Sequence, residues 1–152
     1  MVKVHLVAVV FAAVAIGGCA GSDGADEEAV AGTDEMLRAG RKLPESEVAD
    51  TLREAGFAEE EVPRMVCTAK YESDFYERAS NSHNRNGTVD RGLFQINSVH
   101  LGRAGCPRTG EALYNAKTNA KCALSIWKSQ TNNAWYGYKK HRAECDAYVV
   151  EE

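Results

Sequence analysis

A glutamate on an apolar helical stripe is the first residue of this sequence whose setting suits acid–base chemistry. Between residues 62 and 75, Val62, Met65 and Ala69 recur at helical spacing, and Glu72 falls near the same stripe. A carboxyl on an inward-facing stripe is partly desolvated, which raises its pKa and lets it hold a proton for general acid catalysis. The alternative is a frayed helix end that leaves Glu72 in water.

A second carboxyl, that of Asp90, closes a polar run that is rich in turn-forming residues. The Asn86-Gly87 pair within this run indicates a hairpin, so we expect a small antiparallel sheet. Strict alternation along the following strand puts Asp90 on the face opposite Gln95 and Asn97. A bulge at Gly92 would re-aim the chain and bring these polar groups to one cleft.

Helices must position these groups. Apolar periodicity, with Pro and Gly at the ends, predicts four helices. They cover residues 45–55, 62–75, 119–130 and about 134–142, while residues 99–117 are irregular. The chain has 152 residues, which is enough for one domain with a core. Helices flanking one short hairpin predict an α+β domain, mainly helical, with a cleft beside the sheet.

Four cysteines lie within the predicted domain and a fifth, Cys19, lies apart from them near the N-terminus. In an exported protein four cysteines suggest two disulfides, and they permit three connectivities. A zinc site is the weaker alternative, because no Cys-x-x-Cys motif or paired histidine spacing accompanies them. The four are Cys67, Cys106, Cys122 and Cys145.

The N-terminal residues predict export. A weakly basic start precedes an uncharged apolar run, which is shorter than the roughly 20 residues that span a bilayer. We expect residues 1–18 to be a signal peptide, because Ile16-Gly17-Gly18-Cys19 resembles a bacterial lipobox, in which Cys19 is lipidated and anchors the protein to a membrane. Plain cleavage nearby, for instance after Ala20, is the alternative.

The stretch after Cys19 differs in composition from the rest of the chain. Residues 20–37 hold six acidic residues and no basic one, together with several Gly and Ala residues. Such a segment has little to bury, so residues 19–42 are predicted to be a flexible acidic tether. The folded domain is then residues 43–152.

Three motifs resemble those of the c-type lysozymes, in that family's order and spacing. The resemblance extends from about Ser46 to Cys145 and implies a lysozyme-like fold. The motifs are Val66-Cys67-Thr68-Ala69-Lys70-Tyr71-Glu72-Ser73, Asp90-Arg91-Gly92-Leu93-Phe94-Gln95-Ile96-Asn97-Ser98 and Asn133-Ala134-Trp135.

The resemblance implies a muramidase, with Glu72 as general acid and Asp90 as nucleophile or stabilising carboxylate. Its substrate would be the β-1,4 bond between N-acetylmuramic acid and N-acetylglucosamine in peptidoglycan. Cleavage of a glycosidic bond needs one carboxyl that stays protonated and another that stays ionised. Lysozymes are the standard example of carboxyl groups whose environments separate their pKa values in this way.

The same resemblance assigns supporting roles around the two carboxyls. Trp135 would form an apolar wall beside Glu72, although an indole at this position also suits plain core filling. For Gln95 and Asn97, polarity at the end of a strand ladder is about as good an explanation as sugar contact. The remaining sugar-contacting or supporting positions are Asn81, Thr88 and Ala134.

A disulfide pairing follows from the resemblance as well, namely Cys67 with Cys145 and Cys106 with Cys122. Ser46 stands where the family has one cysteine of a further bridge, so that bridge is missing. Val99-His100-Leu101 stands where many relatives have tryptophans that stack on sugar. Both differences separate this chain from typical members of the family.

Charge and ligand chemistry exclude several classes of partner. Residues 43–152 carry 16 acidic and 14 basic residues, a net charge of −2, so no basic surplus would hold nucleic acid. Residues 114–119 contain no carboxylate for calcium, and the histidines show no metal-ligand spacing. We therefore expect a monomer that uses no metal or other cofactor.

Two other functions fit the same residues. A lytic transglycosylase attacks the same polymer with a single essential acid and leaves an anhydro sugar, and the presence of Asp90 favours hydrolysis over it. A non-catalytic lysozyme-like protein that binds glycan or a partner is the alternative from a different class, and the altered residues at 99–101 are compatible with it.

Overall fold

The computed structural model describes residues 39–151, so the predicted signal peptide, Cys19 and most of the predicted tether lie outside the described residues. The described chain is mainly helical with a three-stranded antiparallel sheet, which confirms the predicted α+β class. The α-helices with bounds inside residues 39–151 are α1 (Glu45–Ala55), α2 (Val62–Ser73), α3 (Ala116–Gln130), α4 (Tyr136–Lys140) and α5 (Arg142–Asp146). The strands are β1 (Ser80–Asn81), β2 (Asp90–Arg91) and β3 (Ile96–Asn97).

Helix α1 has the predicted bounds because a residue that favours a helix start precedes it and a residue that stops a helix follows it. Pro44 precedes it in extended geometry, and Gly56 ends it in the left-handed region with a φ of 100°. The N–H of Gly56 donates to the carbonyls of Leu52 and Arg53, which satisfies two groups at the helix end. The helix buries Val48, Ala49 and Leu52 against α2 and α3.

Helix α2 is shorter than predicted by two residues. Asp74 and Phe75 adopt positive φ angles of 48° and 66°, so the helix ends at Ser73. Met65 and Ala69 on its inner face are fully buried. Glu72 therefore lies in the last turn of α2, at the point where the core meets the sheet.

The strands are very short, and their register decides which side chains meet. Asn81 pairs with Asp90, and Asp90 pairs with Asn97 on its other side. The Asn86-Gly87 turn is present, with a φ of 74° at Gly87, but it lies within an eight-residue connection, residues 82–89. The expected hairpin thus forms with a longer loop than the dipeptide alone indicates.

The sheet corrects the expected alternation after Asp90. Residues 92–95 form a tight turn, in which Gly92 and Gln95 both have positive φ and the N–H of Gln95 donates to the Gly92 carbonyl. Gly92 therefore makes a turn rather than a bulge. Because the turn resets the side-chain alternation, Asp90 and Asn97 lie directly opposite each other on neighbouring strands.

The C-terminal half differs from the prediction at two places. Helix α3 begins three residues early, because the side chain of Asn115 accepts a hydrogen bond from the N–H of Thr118 and caps it. The single helix expected near residues 134–142 is instead α4 and α5, separated at His141. The His141 ring stacks on Tyr71 at 3.6 Å, which holds this residue between the two helices.

Some residues before 43 also pack against the domain. Lys42 pairs with Tyr76 in an isolated antiparallel bridge, and the N–H of Arg78 donates to the Ala39 carbonyl. The last residues assigned to the tether, 39–42, thus lie against the domain. Within residues 39–151, no helix combines the length and apolar character needed to cross a membrane.

Two disulfides join distant parts of the described chain. Cys67 in α2 is bonded to Cys145 in α5, and Cys106 in the loop before α3 is bonded to Cys122 within it. These are the two pairs that the resemblance implies. The first ties the helix that carries Glu72 to the C-terminal helix.

Candidate active site

Glu72 is half-buried and held by a single backbone donor. The N–H of Gly137, in the first turn of α4, donates to Glu72 Oε1 at 2.8 Å. Burial raises the pKa of Glu72, the hydrogen bond from Gly137 opposes that rise, and the negative charge of Asp90 adds to it. Glu72 is thus a carboxyl whose surroundings favour its protonated form, as the apolar stripe predicts.

Asp90 has a very different environment, because its carboxylate accepts hydrogen bonds from three asparagine amides. Asn97 Nδ2 donates to Oδ1 at 2.6 Å, while Asn84 Nδ2 and Asn81 Nδ2 donate to Oδ2 at 2.9 and 3.2 Å. Amide donors stabilise a carboxylate without neutralising its charge. The two carboxyls therefore have the unequal surroundings that a division of labour requires.

Asn84 is a site residue that sequence reasoning missed. It lies in the connection between β1 and β2, and it also donates to the Thr88 carbonyl at 3.1 Å. The excess of asparagine in residues 81–86 was the available signal. Thr88 was expected to support Asp90, but its hydroxyl accepts a hydrogen bond of 2.8 Å from Asn97 and so orients Asp90's partner.

A cavity of about 210 Å³ lies between the sheet and the helices and contains both carboxyls. Asn81, which bonds Asp90, and Thr88 do not line this cavity. The other predicted site residues line it together: Glu72, Asp90, Gln95, Asn97, Ala134 and Trp135. The sequence motifs, which are up to 63 residues apart, thus converge on one open cleft.

Gln95 lines the cavity while also stabilising the turn that shapes it. Its Nε2 donates to the carbonyls of Ala79 and Gly92, each at 3.0 Å, which ties the residue before β1 to the 92–95 turn. Asn119, fully buried in α3, clamps the same turn by accepting from the Phe94 N–H and donating to the Arg91 carbonyl, both at 2.9 Å. The sequence does not reveal this clamp, because Asn119 is 25 residues from Phe94.

Trp135 both fills the core and lines the cleft. It is only 5% exposed, its ring packs edge-on against Phe94, and its Nε1 donates to the Phe94 carbonyl at 3.0 Å. The indole therefore occupies a fixed position in the wall of the cavity that contains Glu72.

His100 and Tyr136 also line the cavity, although sequence reasoning assigned neither to the site. Burial lowers the pKa of His100, and the positive charge of Arg103 lowers it further, so the neutral imidazole is favoured. A second cavity of about 240 Å³ shares His100, Ile126 and Gln130 with the first. The cleft thus extends along α3 beyond the two carboxyls.

The described residues show no group of three or more His, Cys, Asp and Glu side chains arranged to hold a metal ion. Asn115 caps α3, and the side chain of Asn119 within that helix bonds the backbone of the 92–95 turn. Both asparagines therefore have structural roles.

Comparison with known proteins finds similarity over most of the described chain. Residues 49–136 match a family model described as a lysozyme-like domain. Lysozyme c-1 of Anopheles gambiae is 37% identical over 102 residues, covering 62% of this chain and 72% of that protein. A lysozyme of Bombyx mori is 37% identical over 98 residues, covering 59% of this chain and 71% of that protein.

Among solved structures, a lysozyme from Litopenaeus vannamei superposes with a TM-score of 0.54 at 24% sequence identity. The match covers 70% of this chain and 98% of the shrimp chain, so the two share a fold.

Proposed function

Because the chain belongs to the lysozyme-like domain family, we propose that it is a glycosidase that hydrolyses peptidoglycan. The bond cleaved is the β-1,4 linkage between N-acetylmuramic acid and N-acetylglucosamine. Homology to named lysozymes supports glycan cleavage in general. The site supports the more specific proposal, and the observation that carries it is the contrast between a desolvated Glu72 and an amide-bound Asp90 lining one cavity.

Glu72 acts first, as the general acid. Its pKa is raised by burial, so the carboxyl holds a proton that it transfers to the glycosidic oxygen as the bond to C1 breaks. The Gly137 N–H fixes one carboxyl oxygen and thereby aims the other into the cleft. The leaving sugar departs with a neutral hydroxyl.

Asp90 stabilises the positive charge that develops on the sugar, or bonds to C1 as a nucleophile. Its three amide donors hold the carboxylate in one orientation for this role. In the second step a water gives a proton to Glu72, now a carboxylate, and its oxygen bonds to C1. Where Asp90 has bonded to C1, that bond breaks as the water oxygen attacks and the electron pair returns to the Asp90 carboxylate, so the enzyme returns to its starting state. No step requires a metal or other cofactor.

Product analysis tests this proposal against the two alternatives. Purified domain incubated with peptidoglycan should release fragments with ordinary reducing N-acetylmuramic acid ends, which mass spectrometry distinguishes from anhydro ends. Anhydro products would indicate a lytic transglycosylase. Binding to the polymer without any release of fragments would indicate a non-catalytic lysozyme-like protein and would overturn the proposal.

We also propose that the protein is exported and acts as a monomer, anchored to a membrane through lipidated Cys19. The two disulfides support an oxidising location. The anchor rests on the sequence alone, since Cys19 lies outside the described residues.

A further inference from the structure

Tyr136 presents an exposed aromatic ring beside the general acid. Tyr136 lines the cavity that holds Glu72, yet the residue is 73% exposed. Other large hydrophobic residues with high exposure in the described chain are Val99 and Val149, neither of which is aromatic. An aromatic ring that borders a polar cleft and remains open to solvent is suited to contact a ligand.

The other tyrosines of this chain are engaged within the protein. A Lys or Arg side chain lies over the ring of each of the five, and the hydroxyls of three of them also donate to carboxylates. The five are Tyr71, Tyr138 and Tyr148, which donate, and Tyr76 and Tyr114. Among residues 39–151, no side-chain hydrogen bond, aromatic contact or cation engages the side chain of Tyr136. Its position is therefore not explained by a contact that stabilises the fold.

The position of Tyr136 indicates which part of a substrate it meets. It directly precedes Gly137, whose N–H bonds Glu72, and it lines the same cavity, so this residue lies on the side of the cleft that carries the general acid. Asp90 lies on the sheet. The acid delivers its proton to the glycosidic oxygen of the leaving sugar, so a residue beside the acid is next to the bond that is cleaved and within reach of that sugar.

We propose that Tyr136 stacks on the leaving-group sugar and determines specificity on that side of the cleft, an inference that rests on the proposed glycosidase function. The C–H face of a sugar packs against an aromatic ring, and the phenolic hydroxyl can bond a neighbouring sugar hydroxyl or acetamido group. Residues 99–101 on the other part of the cleft offer no aromatic side chain of comparable size to a tryptophan. Tyr136 thus provides the aromatic contact from the helical wall.

Two substrates with the same donor sugars isolate this contact. A chito-oligosaccharide has a sugar as its leaving group, whereas the corresponding glycosyl fluoride has only fluoride. Tyr136→Leu should lower kcat/KM for the oligosaccharide roughly two- to tenfold, mainly through KM, and leave the fluoride unaffected. Tyr136→Phe retains the ring and should keep most of the activity on both substrates.

The outcomes separate this inference from the proposed function. If the wild-type protein cleaves neither substrate and releases no fragments from peptidoglycan, the proposed function fails and this inference fails with it. If it cleaves peptidoglycan alone, a Tyr136→Leu variant that releases fragments at the wild-type rate overturns only this inference. If it cleaves both and Tyr136→Leu loses equally on both or on neither, only the role of Tyr136 is overturned. Because the side chain is exposed, both variants should keep the wild-type melting temperature, which shows that a loss of activity is not a loss of fold.

Discussion

Asp90 and Asn97 form a cross-strand pair in which the Asn97 amide nitrogen lies 2.6 Å from Asp90 Oδ1. Asn81 and Asn84 complete the set of donors from the neighbouring strand and loop. Within the described residues no Lys, Arg or His forms a salt bridge with Asp90. The carboxylate is thus oriented by neutral amides and keeps its charge available to a substrate.

Asn84→Ala removes one of these donors and should lower kcat on peptidoglycan by roughly tenfold, since hydrogen bonds to charged groups are the stronger ones. Asn86→Ala is the matched control, because Asn86 bonds Thr88 in the same loop but does not touch Asp90. Its activity should stay within about twofold of wild type. Equal losses in the two variants would mean that Asn84 only shapes the loop.

The pH dependence of stability follows from the raised pKa of Glu72. An acid whose pKa is higher in the folded state stabilises the fold below its unfolded pKa, about 4.3 for glutamate, and loses this contribution as pH rises through the folded pKa. Glu72→Gln cannot ionise, so it should unfold at higher urea concentration than wild type at pH 7. This advantage should disappear below about pH 4.

Urea denaturation at the two pH values checks this, with Glu60→Gln as control. Glu60 is exposed and forms no salt bridge with a described residue, so its substitution should change little at either pH. A Glu72→Gln protein that is less stable than wild type at pH 7 would contradict the desolvation of Glu72.

Two glycines with nearly equal φ angles should differ in how much their substitution destabilises the domain, because only Gly92 lies in the clamped 92–95 turn. A Cβ on Gly92, at φ +75°, would lie 2.2 Å from the Leu113 carbonyl oxygen and 2.3 Å from Asn119 Nδ2, whereas a Cβ on Gly87, at φ +74°, would meet nothing within 4 Å. Gly92→Ala should therefore destabilise the domain by about 2–4 kcal/mol, from backbone strain and overpacking together. Gly87→Ala should cost about 1 kcal/mol, from strain alone. Similar unfolding free energies for the two variants would contradict the clamped turn.

The proposed anchor predicts the chemical form of the mature N-terminus. Mass spectrometry should find Cys19 as the first residue, carrying diacylglycerol, and Cys19→Ser should release the protein from membranes. A mature chain that begins elsewhere, unmodified and freely soluble, would show that the protein is not lipidated.

Local sequence features predicted the elements that are bounded by helix-starting, helix-stopping or turn-forming residues. The Pro44 and Gly56 boundaries set α1, and the apolar stripe of α2 placed Glu72 against the core. The predicted pairing of strands around Asn86-Gly87 is present for the same reason. In each case the information lies within a few neighbouring residues.

The remaining features depend on contacts between distant residues. The face on which Asn97 lies depends on a turn held by Asn119 from α3, and the role of Asn84 depends on a loop folding back onto Asp90. Tyr136 borders the cleft because Gly137 bonds Glu72, 65 residues earlier in the chain. Periodicity and spacing do not encode such tertiary contacts, so these residues were missed or misplaced.

The central claim, that Glu72 is the general acid, is tested most directly by the turnover of Glu72→Gln on purified peptidoglycan. The substitution removes the transferable proton and keeps an oxygen that can accept the Gly137 N–H, so the fold should persist. The account predicts fragment release reduced at least about a thousandfold, with unchanged circular dichroism. A folded Glu72→Gln protein that retains most of the wild-type rate would contradict it.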